Sequence, residues 1–307
     1  MVVNIFLLSL IFFSSCSSFK LKKTEIEPFY LLTPNADLYI SIPVSGNKDI
    51  LNEMLQLTLV DPEQADNSLS KKSFDTFFKR TDRICIAYNF DSDNLSPSFE
   101  AILQGNYPFF TSNILFTKKN GFYKKSFEGE DTNNYNYWYN INTNIQTSLP
   151  NSQTIFVSSN SIASLQKNLI NYKENIFSDT SKLQRFTNNQ IDFLNNPTDI
   201  TMFIMEPGNL VPQLLGAKAI KLAIDNALIS FKPLYTIDTV NKDESTVSDY
   251  NITVNLDMTN TQAQGLGYIL LNLAKKTNSF TVDKIGTKKL IIKDYILSTD
   301  DILKLLK

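Results

Sequence analysis

Residues 36–47 read ADLYISIPVSGN, and residues 198–209 read TDITMFIMEPGN. Asp37 aligns with Asp199, and Gly46-Asn47 aligns with Gly208-Asn209, without a gap. Each stretch follows shortly after a proline, Pro34 or Pro197. Each reads as an apolar strand, a turn and then a helical pattern. In KDILNEMLQL the apolar positions are Ile50, Leu51, Met54 and Leu55; in NLVPQLL they are Leu210, Val211, Leu214 and Leu215. Spacing of i, i+1, i+4 and i+5 places them on one stripe of a helix.

A second pair of stretches repeats the pattern at the end of each half. TIFVSSNSIASLQKNL starts at Thr154, and DYILSTDDILKLLK starts at Asp294. Each is a strand running into hydroxyl and amide residues, Ser158-Ser159-Asn160 or Ser298-Thr299-Asp300. Such residues accept hydrogen bonds from the free N–H groups that begin a helix. The pairs Ile162/Leu165 and Ile302/Leu305 then point inward. Between these ends, SFEAILQGNYP and DYNITVNLDMTN read as strands, while FFTSNILFTKKNG (ending at Gly121) and TQAQGLGYILLNLAKK read as helices. FYKKSFEG with YNYWYNI forms a strand pair, and SFTVDKIGTKKLIIKDYILS forms a hairpin turning at residues 285–288. Strands and helices in mixed order with short connections predict an α+β fold. Its two weakly similar halves would be mainly antiparallel sheets covered by helices on one face. The expected divisions are a first repeat at 34–172, a polar linker at 173–196 and a second repeat at 197–307.

The N-terminus carries a different signal. From Val2 to Phe13 only Asn4 and Ser9 are polar. A run this short cannot cross a bilayer core of about 30 Å, which needs roughly 20 helical residues. It has the length of the apolar part of a signal peptide. LSLIFFSSCSSFK, residues 8–20, then passes through Ser14 and Ser15 to Cys16. This stretch resembles the lipobox of bacterial lipoproteins, with Phe13 at the −3 position as in the relaxed form found in spirochaete lipoproteins. The region before the apolar run has no Lys or Arg. The resemblance implies a signal peptide at 1–15, a lipidated tether at 16–33, and a diacylglycerol and N-acyl lipid on Cys16 as the lipid attachment. It implies an exported chain anchored in the cell membrane or outer membrane, its body facing periplasm or cell surface. The body resembles uncharacterised envelope lipoproteins. The alternative is an uncleaved anchor or ordinary secretory signal with Cys16 incidental. Two or three acyl chains, at about 0.8 kcal/mol per buried CH₂, anchor a protein firmly.

Composition narrows the chemistry. Lys and Arg number 29 against 31 acidic residues, and no basic stripe suits nucleic acid. Histidine is absent, which removes the commonest general base and metal ligand. With Cys16 acylated, Cys85 is the only thiol left; in RICIAYNF it reads as a small core residue. Asp91 and Asp93 begin like a calcium loop, but the later Gly and Glu are missing, so these and Glu128, Glu130 and Asp131 read as solvated turns. No nucleophile elbow, phosphate loop or dinucleotide fingerprint occurs. Gly265 and Gly267 lie within a helical pattern and signal close packing at most.

The most distinctive patch is NYNYWYNINTN. On a strand, Tyr135, Tyr137 and Tyr139 share one face, and Asn136, Trp138 and Asn140 share the other. These four aromatics suit a glycan or an envelope protein, or else ordinary packing under helices. The expectation is a membrane-anchored envelope lipoprotein with a non-catalytic binding or scaffolding role, without metal or cofactor beyond its lipid. One alternative is an exported hydrolase with two carboxylates in a cleft, acting on glycan. The other is a solute-binding lipoprotein.

Overall fold

The computed structural model describes residues 27–51, 77–90, 98–108, 110–127, 135–173, 186–205, 207, 222–237, 245–274 and 279–305. Twelve strands dominate: β1 (Leu38–Pro43), β2 (Thr81–Asn89), β3 (Ser98–Gly105), β4 (Phe122–Phe127), β5 (Tyr135–Asn140), β6 (Gln146–Asn151), β7 (Thr154–Ser158), β8 (Ile200–Met205), β9 (Ile224–Ile237), β10 (Ser245–Met258), β11 (Thr281–Ile285) and β12 (Lys289–Ser298). Among them run α1 (Thr111–Leu115), α2 (Ala163–Lys173), α3 (Asn188–Leu194), α4 (Thr261–Ala274) and α5 (Thr299–Leu305). A helical turn at 48–51 follows the first of the paired stretches. Its expected continuation, the NLVPQLL helix, the 61–73 loop, and the acidic residues at 91, 93, 128, 130 and 131 lie outside the described residues.

All twelve strands join one sheet in the order β11-β12-β10-β9-β8-β1-β2-β3-β7-β6-β5-β4. The centre is the antiparallel pair β1–β8, with Leu38 opposite Ile204 and Ser41 opposite Thr201. Read outward from there, one side runs β8, β9, β10, β12, β11 and the other β1, β2, β3, β7, β6. The two sides match element for element, except that β5 and β4 extend the second side without a counterpart. Every neighbouring pair is antiparallel, because each connection returns the chain along an adjacent or nearby strand.

Strand alternation sorts the core onto two faces. Ile40 and Ile42 point to one face, together with Ile229, Val254, Leu256 and Ile292. The turn at 48–51, α4 and α5 cover that face through Ile50, Leu51, Leu271 and Ile302. Tyr39, Cys85, Ile102 and Phe156 point to the opposite face, where α2 and α3 supply Leu165, Leu169 and Leu194. Helices therefore cover one face in the second half, and the first half carries an additional helical layer on the other. The corresponding face of β9, β10, β12 and β11 is left to solvent. It presents Ser230, Lys232, Asn251, Thr253 and Asn255, none of them buried, the exposed Ile285 and Ile296, and the ion pairs Lys289–Asp257 (3.6 Å) and Lys293–Asp283 (3.0 Å).

Two expected boundaries shift. The tether expected at 16–33 ends earlier: a 3₁₀ turn at Pro28–Tyr30 buries Phe29, and Leu31 and Leu32 are buried beside it. Three apolar side chains in four residues favour the core over a solvated tether. Within the linker expected at 173–196, residues 174–185 lie outside the described set, but Asn188–Leu194 is helical. Thr187 forms a capping box with Gln190, and Phe186 and Leu194 are buried. The expected helix ending at Gly121 is short: α1 stops at Leu115, and a separate 3₁₀ turn, Lys118–Asn120, leads into Gly121 at φ +79°.

The two sides are also clasped by side chains at one end of the β1–β8 seam. Buried Asn47 donates from Nδ2 to the carbonyls of Pro43 (2.9 Å) and Thr198 (3.2 Å), and its Oδ1 accepts from the Tyr250 hydroxyl (3.2 Å). Gly46 approaches closely here at φ +87°; a Cβ would collide with the Tyr235 hydroxyl. Asn47→Ala leaves a buried carbonyl and a buried hydroxyl without their partner, so it is expected to cost on the order of 3 kcal/mol. Tyr250→Phe removes one bond and is expected to cost about 1 kcal/mol. Urea unfolding of both variants checks the ranking.

Candidate functional site

Two surfaces stand out, one at each end of the sheet. The first is α4. Asn260 caps it, its Oδ1 accepting from the Ala263 N–H at 2.8 Å. Buried Gln264 ties it to the β11–β12 turn, donating from Nε2 to the carbonyls of Gly286 (3.2 Å) and Lys289 (2.8 Å). Gly267 seats it closely: an added Cβ would stand 3.0 Å from Met258 Cε and 3.1 Å from Leu290 Cδ1. Close packing at this glycine agrees with its reading from sequence, whereas Gly265 has open space beside it.

The outward side of α4 is apolar. Leu266 (57% exposed), Ile269 (58%) and Leu273 (55%) form a stripe at i, i+3 and i+7. No Asp, Glu, Lys or Arg occurs in residues 261–274. A surface helix ordinarily carries charge on its outer side, so this helix is apolar both inward and outward. The sequence predicts this helix and close packing at its glycines; the absence of charge over its fourteen residues is the signal for an apolar outer side. At about 1.5 Å per residue α4 is about 21 Å long. No helix among the described residues is long and apolar enough to cross a membrane.

The second surface is the β4–β5 hairpin at the other end. Cross-strand pairs place Tyr123 beside Tyr139, Lys125 beside Tyr137, and Phe127 beside Tyr135 on one face. The register thus puts the three tyrosines of β5 together and Trp138 opposite them. Trp138 does not join that face. It packs 5.3 Å from the Phe116 ring, which itself lies 5.2 Å from Phe122, under the segment that follows α1. Tyr135 and Tyr137 lean against the α2-side core. Tyr139 has two partners: Lys125 Nζ lies 4.7 Å over its ring, and its hydroxyl donates to Asn144 Oδ1 at 2.5 Å. Tyr123 and Phe127 are exposed.

The start of the described chain is fixed near the seam. Asn195 Nδ2 donates to Glu27 Oε2 at 2.7 Å, and the Arg83 guanidinium donates to Asn195 Oδ1 and to the carbonyls of Asn195 (2.9 Å) and Asn196 (3.3 Å). Burial raises the Glu27 carboxyl above its ordinary range, against the lowering effects of the Asn195 bond and Arg83. Glu27 is therefore held at a defined point on the body. Cys16 itself lies outside the described residues.

Catalytic groupings are sparse among the described residues. No cluster of metal-ligating side chains occurs among the described residues. An open pocket of about 360 Å³ is lined by Lys79, Arg80, Asp82 and Asn106, and so holds one carboxylate rather than a pair. Glu100 is engaged structurally, accepting from the Thr33 N–H at 2.8 Å and from the Ser164 hydroxyl at 2.5 Å. Cys85 is fully buried, and burial pushes its thiol up to about 12. It sits among core side chains as its alternation with Ile84 and Ile86 implied.

Trp138→Ala is expected to lower stability by about 2 kcal/mol or more, because it opens the Phe116–Phe122 contact. Tyr139→Ala, whose ring mainly holds an exposed ammonium, is expected to cost less than about 1 kcal/mol. Chemical denaturation separates the two. A thiol reagent at pH 8 is expected to modify Cys85 only after unfolding, as read by mass spectrometry; labelling of the native chain would contradict its burial.

No curated protein matches the chain. The family model described as outer membrane-associated lipoprotein TP0453 matches residues 23–303. Crystal form III of TP0453 has a similar structure, with a TM-score of 0.62 at 17% identity over 92% of this chain and 98% of that one. Crystal form I gives 0.62 at 15% identity, over 93% and 98%. Crystal form IV gives 0.59 at 17% identity, over 92% and 97%. At these identities the solved structures speak for the fold, and the match spans nearly all of both chains. The lipobox-like start, the antiparallel α+β body and the matched residues agree, and the chain belongs to the TP0453 family of outer membrane-associated lipoproteins.

Proposed function

We propose that the protein is a non-catalytic envelope lipoprotein, anchored at the outer membrane through lipid on Cys16 and laid against the bilayer by α4. The observation that carries this reading is the outward stripe of Leu266, Ile269 and Leu273 on a helix without a charged residue. Each leaves more than half of its surface exposed, so burial at the headgroup boundary stabilises docking by about 1 kcal/mol apiece. At about 21 Å, α4 is too short to span and long enough to lie in the interface plane. The family's association with the outer membrane supports the membrane location. An apolar stripe alone binds weakly; combined with acyl chains it fixes which side of the body faces lipid. The hydrolase alternative finds no carboxylate pair in the Lys79–Asn106 pocket to support it.

Metabolic labelling with palmitate is expected to mark the wild-type chain and leave Cys16→Ala unmarked; equal label in both would overturn the anchor. Residues 27–305 hold every core element described, so a chain starting at Ser17 keeps the body. Its co-sedimentation with vesicles is expected to weaken about 100-fold on Leu266→Gln/Ile269→Gln/Leu273→Gln, three losses of about 1 kcal/mol each. The thermal midpoint should stay unchanged. Undiminished vesicle binding would remove α4 from the contact.

A further inference from the structure

We propose that the open pocket at the start of β2 binds a phosphorylated polyol of about the size of a hexose phosphate. Lys79, Arg80, Asp82 and Asn106 line its volume of about 360 Å³. The backbone is drawn unusually close there. Asn106 donates its N–H to the Arg80 carbonyl at 2.8 Å, and a Cβ on Gly105 would stand 2.0 Å from that same oxygen. Only glycine lets the end of β3 come this near Arg80. The β2–β3 pairing also slips by one residue between Thr81 and Arg83, which makes Asp82 the extra residue of a bulge. In a regular strand Thr81 and Arg83 would share a face. Here the Thr81 hydroxyl accepts from Tyr107 in one core at 3.0 Å, while Arg83 reaches Asn195 beside the other. Phe78, Thr81 and Tyr107, the chain neighbours of the lining residues, are buried, so the core closes without the four polar side chains.

The charges of the pocket select its occupant. The ion pairs found among the described residues are Lys289–Asp257 and Lys293–Asp283, so Lys79 and Arg80 form none, although Asp82 shares their pocket. Arg80 is half-buried. Its guanidinium has lost part of its hydration without gaining a counter-charge, and an oxyanion supplies both charge and paired acceptors. Lys79 adds an ammonium to the same site. A bare phosphate leaves Asp82 facing an anion. Hydroxyl groups beside the phosphate give that carboxylate donors, and the Asn106 amide both donates to and accepts from alcohols. The two cations thus take the phosphate, while Asp82 and Asn106 take the polyol. The volume lies within the about 300–1,000 Å³ of small-molecule sites, more than an inorganic ion fills. No aromatic or apolar residue lines the pocket, so neither a nucleobase, which stacks, nor an acyl chain finds its surface here. The phosphorylated polyol comes either free in solution or as the headgroup of a lipid, and both present the same group to the pocket. The inference goes beyond the membrane reading and does not rest on it.

The test titrates full-length acylated protein in neutral detergent micelles with glucose 6-phosphate, read by isothermal calorimetry. Wild-type protein is expected to bind it about tenfold more tightly than inorganic phosphate, with affinity falling as salt rises. Arg80→Ala is expected to weaken binding about tenfold or more at an unchanged thermal midpoint. If Arg80→Ala proves unstable, Lys79→Ala supplies the same direction of change from an exposed position. Asp82→Ala is expected to bring glucose 6-phosphate and inorganic phosphate to equal affinity, a change in selectivity that a merely structural role would not produce. Mixed micelles carrying phosphatidylinositol distinguish the source. Displacement of glucose 6-phosphate by that lipid assigns a headgroup ligand, and no displacement assigns a free one; either result keeps the phosphorylated-polyol chemistry. Binding of neither glucose 6-phosphate nor phosphatidylinositol overturns the proposal. Equal wild-type affinity for inorganic phosphate, or binding that ignores the Arg80 and Lys79 substitutions, does so too.

Discussion

The hydrogen-bonded ladder between β1 and β8 decides the shape of this protein. Each half alone would end in an open strand edge, with unpaired N–H and C=O groups along six residues. Pairing Leu38 with Ile204 and Ser41 with Thr201 satisfies both edges at once. The result is a continuous twelve-stranded sheet rather than two bodies on a hinge. Asn47, Tyr250, Arg83 and Asn195 then lock one end of that seam with buried or part-buried hydrogen bonds. A hinged, cleft-closing receptor is hard to reconcile with a ladder through its middle.

The matched strand order on either side of the seam supports reading 34–172 and 197–307 as copies of one unit. Their differences are then the informative part. The chain after β7 turns α2 onto one face of the sheet, while the chain after β12 turns α5 onto the other. One face of the second half carries Ser, Thr, Asn and paired charges, with Ile285 and Ile296 exposed among them. The outer side of α4 adds Leu266, Ile269 and Leu273 in one stripe, and the unmatched hairpin is rich in aromatic residues. The hairpin aromatics partly pack, Tyr135 and Tyr137 against the core and Trp138 on Phe116, whereas the α4 stripe faces away from it.

Sequence periodicity carried much of the fold. In residues 249–258 strict alternation of Asp, Asn and Thr with Tyr, Ile, Val, Leu and Met announced β10, and the Gly286 turn announced the β11–β12 hairpin. Ser298 caps α5 as its hydroxyl position suggested, accepting from the Asp301 N–H at 3.2 Å. Other features were hidden for physical reasons. β9 contains Pro233, which argues against a central strand; it is tolerated because it falls past the last β8 pair, Ile200 with Phe231, so no ladder bond is lost on that side. Phe29, Leu31 and Leu32 follow a charged segment and looked like its continuation, although their burial depends on contacts distant in sequence. The union of both halves in one sheet rests on such a distant pairing too. At the candidate surfaces, the alternation of Tyr135, Tyr137 and Tyr139 against Trp138 was legible, but which face packs was not, because Phe116 and Phe122 reach Trp138 through tertiary structure. The stripe on α4 was concealed because apolar helical residues normally face inward.

Orientation at the bilayer is the claim from which the functional account follows, and depth-dependent quenching measures it directly. A fluorophore attached at Ile269→Cys, in acylated full-length protein on vesicles with brominated acyl chains, is compared with one at Lys232→Cys on the bare sheet face. Cys85 is buried, and Cys16 carries lipid under the proposed anchoring, which leaves the introduced thiol as the reactive one. The account predicts strong quenching at 269 and none at 232. Equal weak quenching at both positions, or stronger quenching at 232, would contradict it.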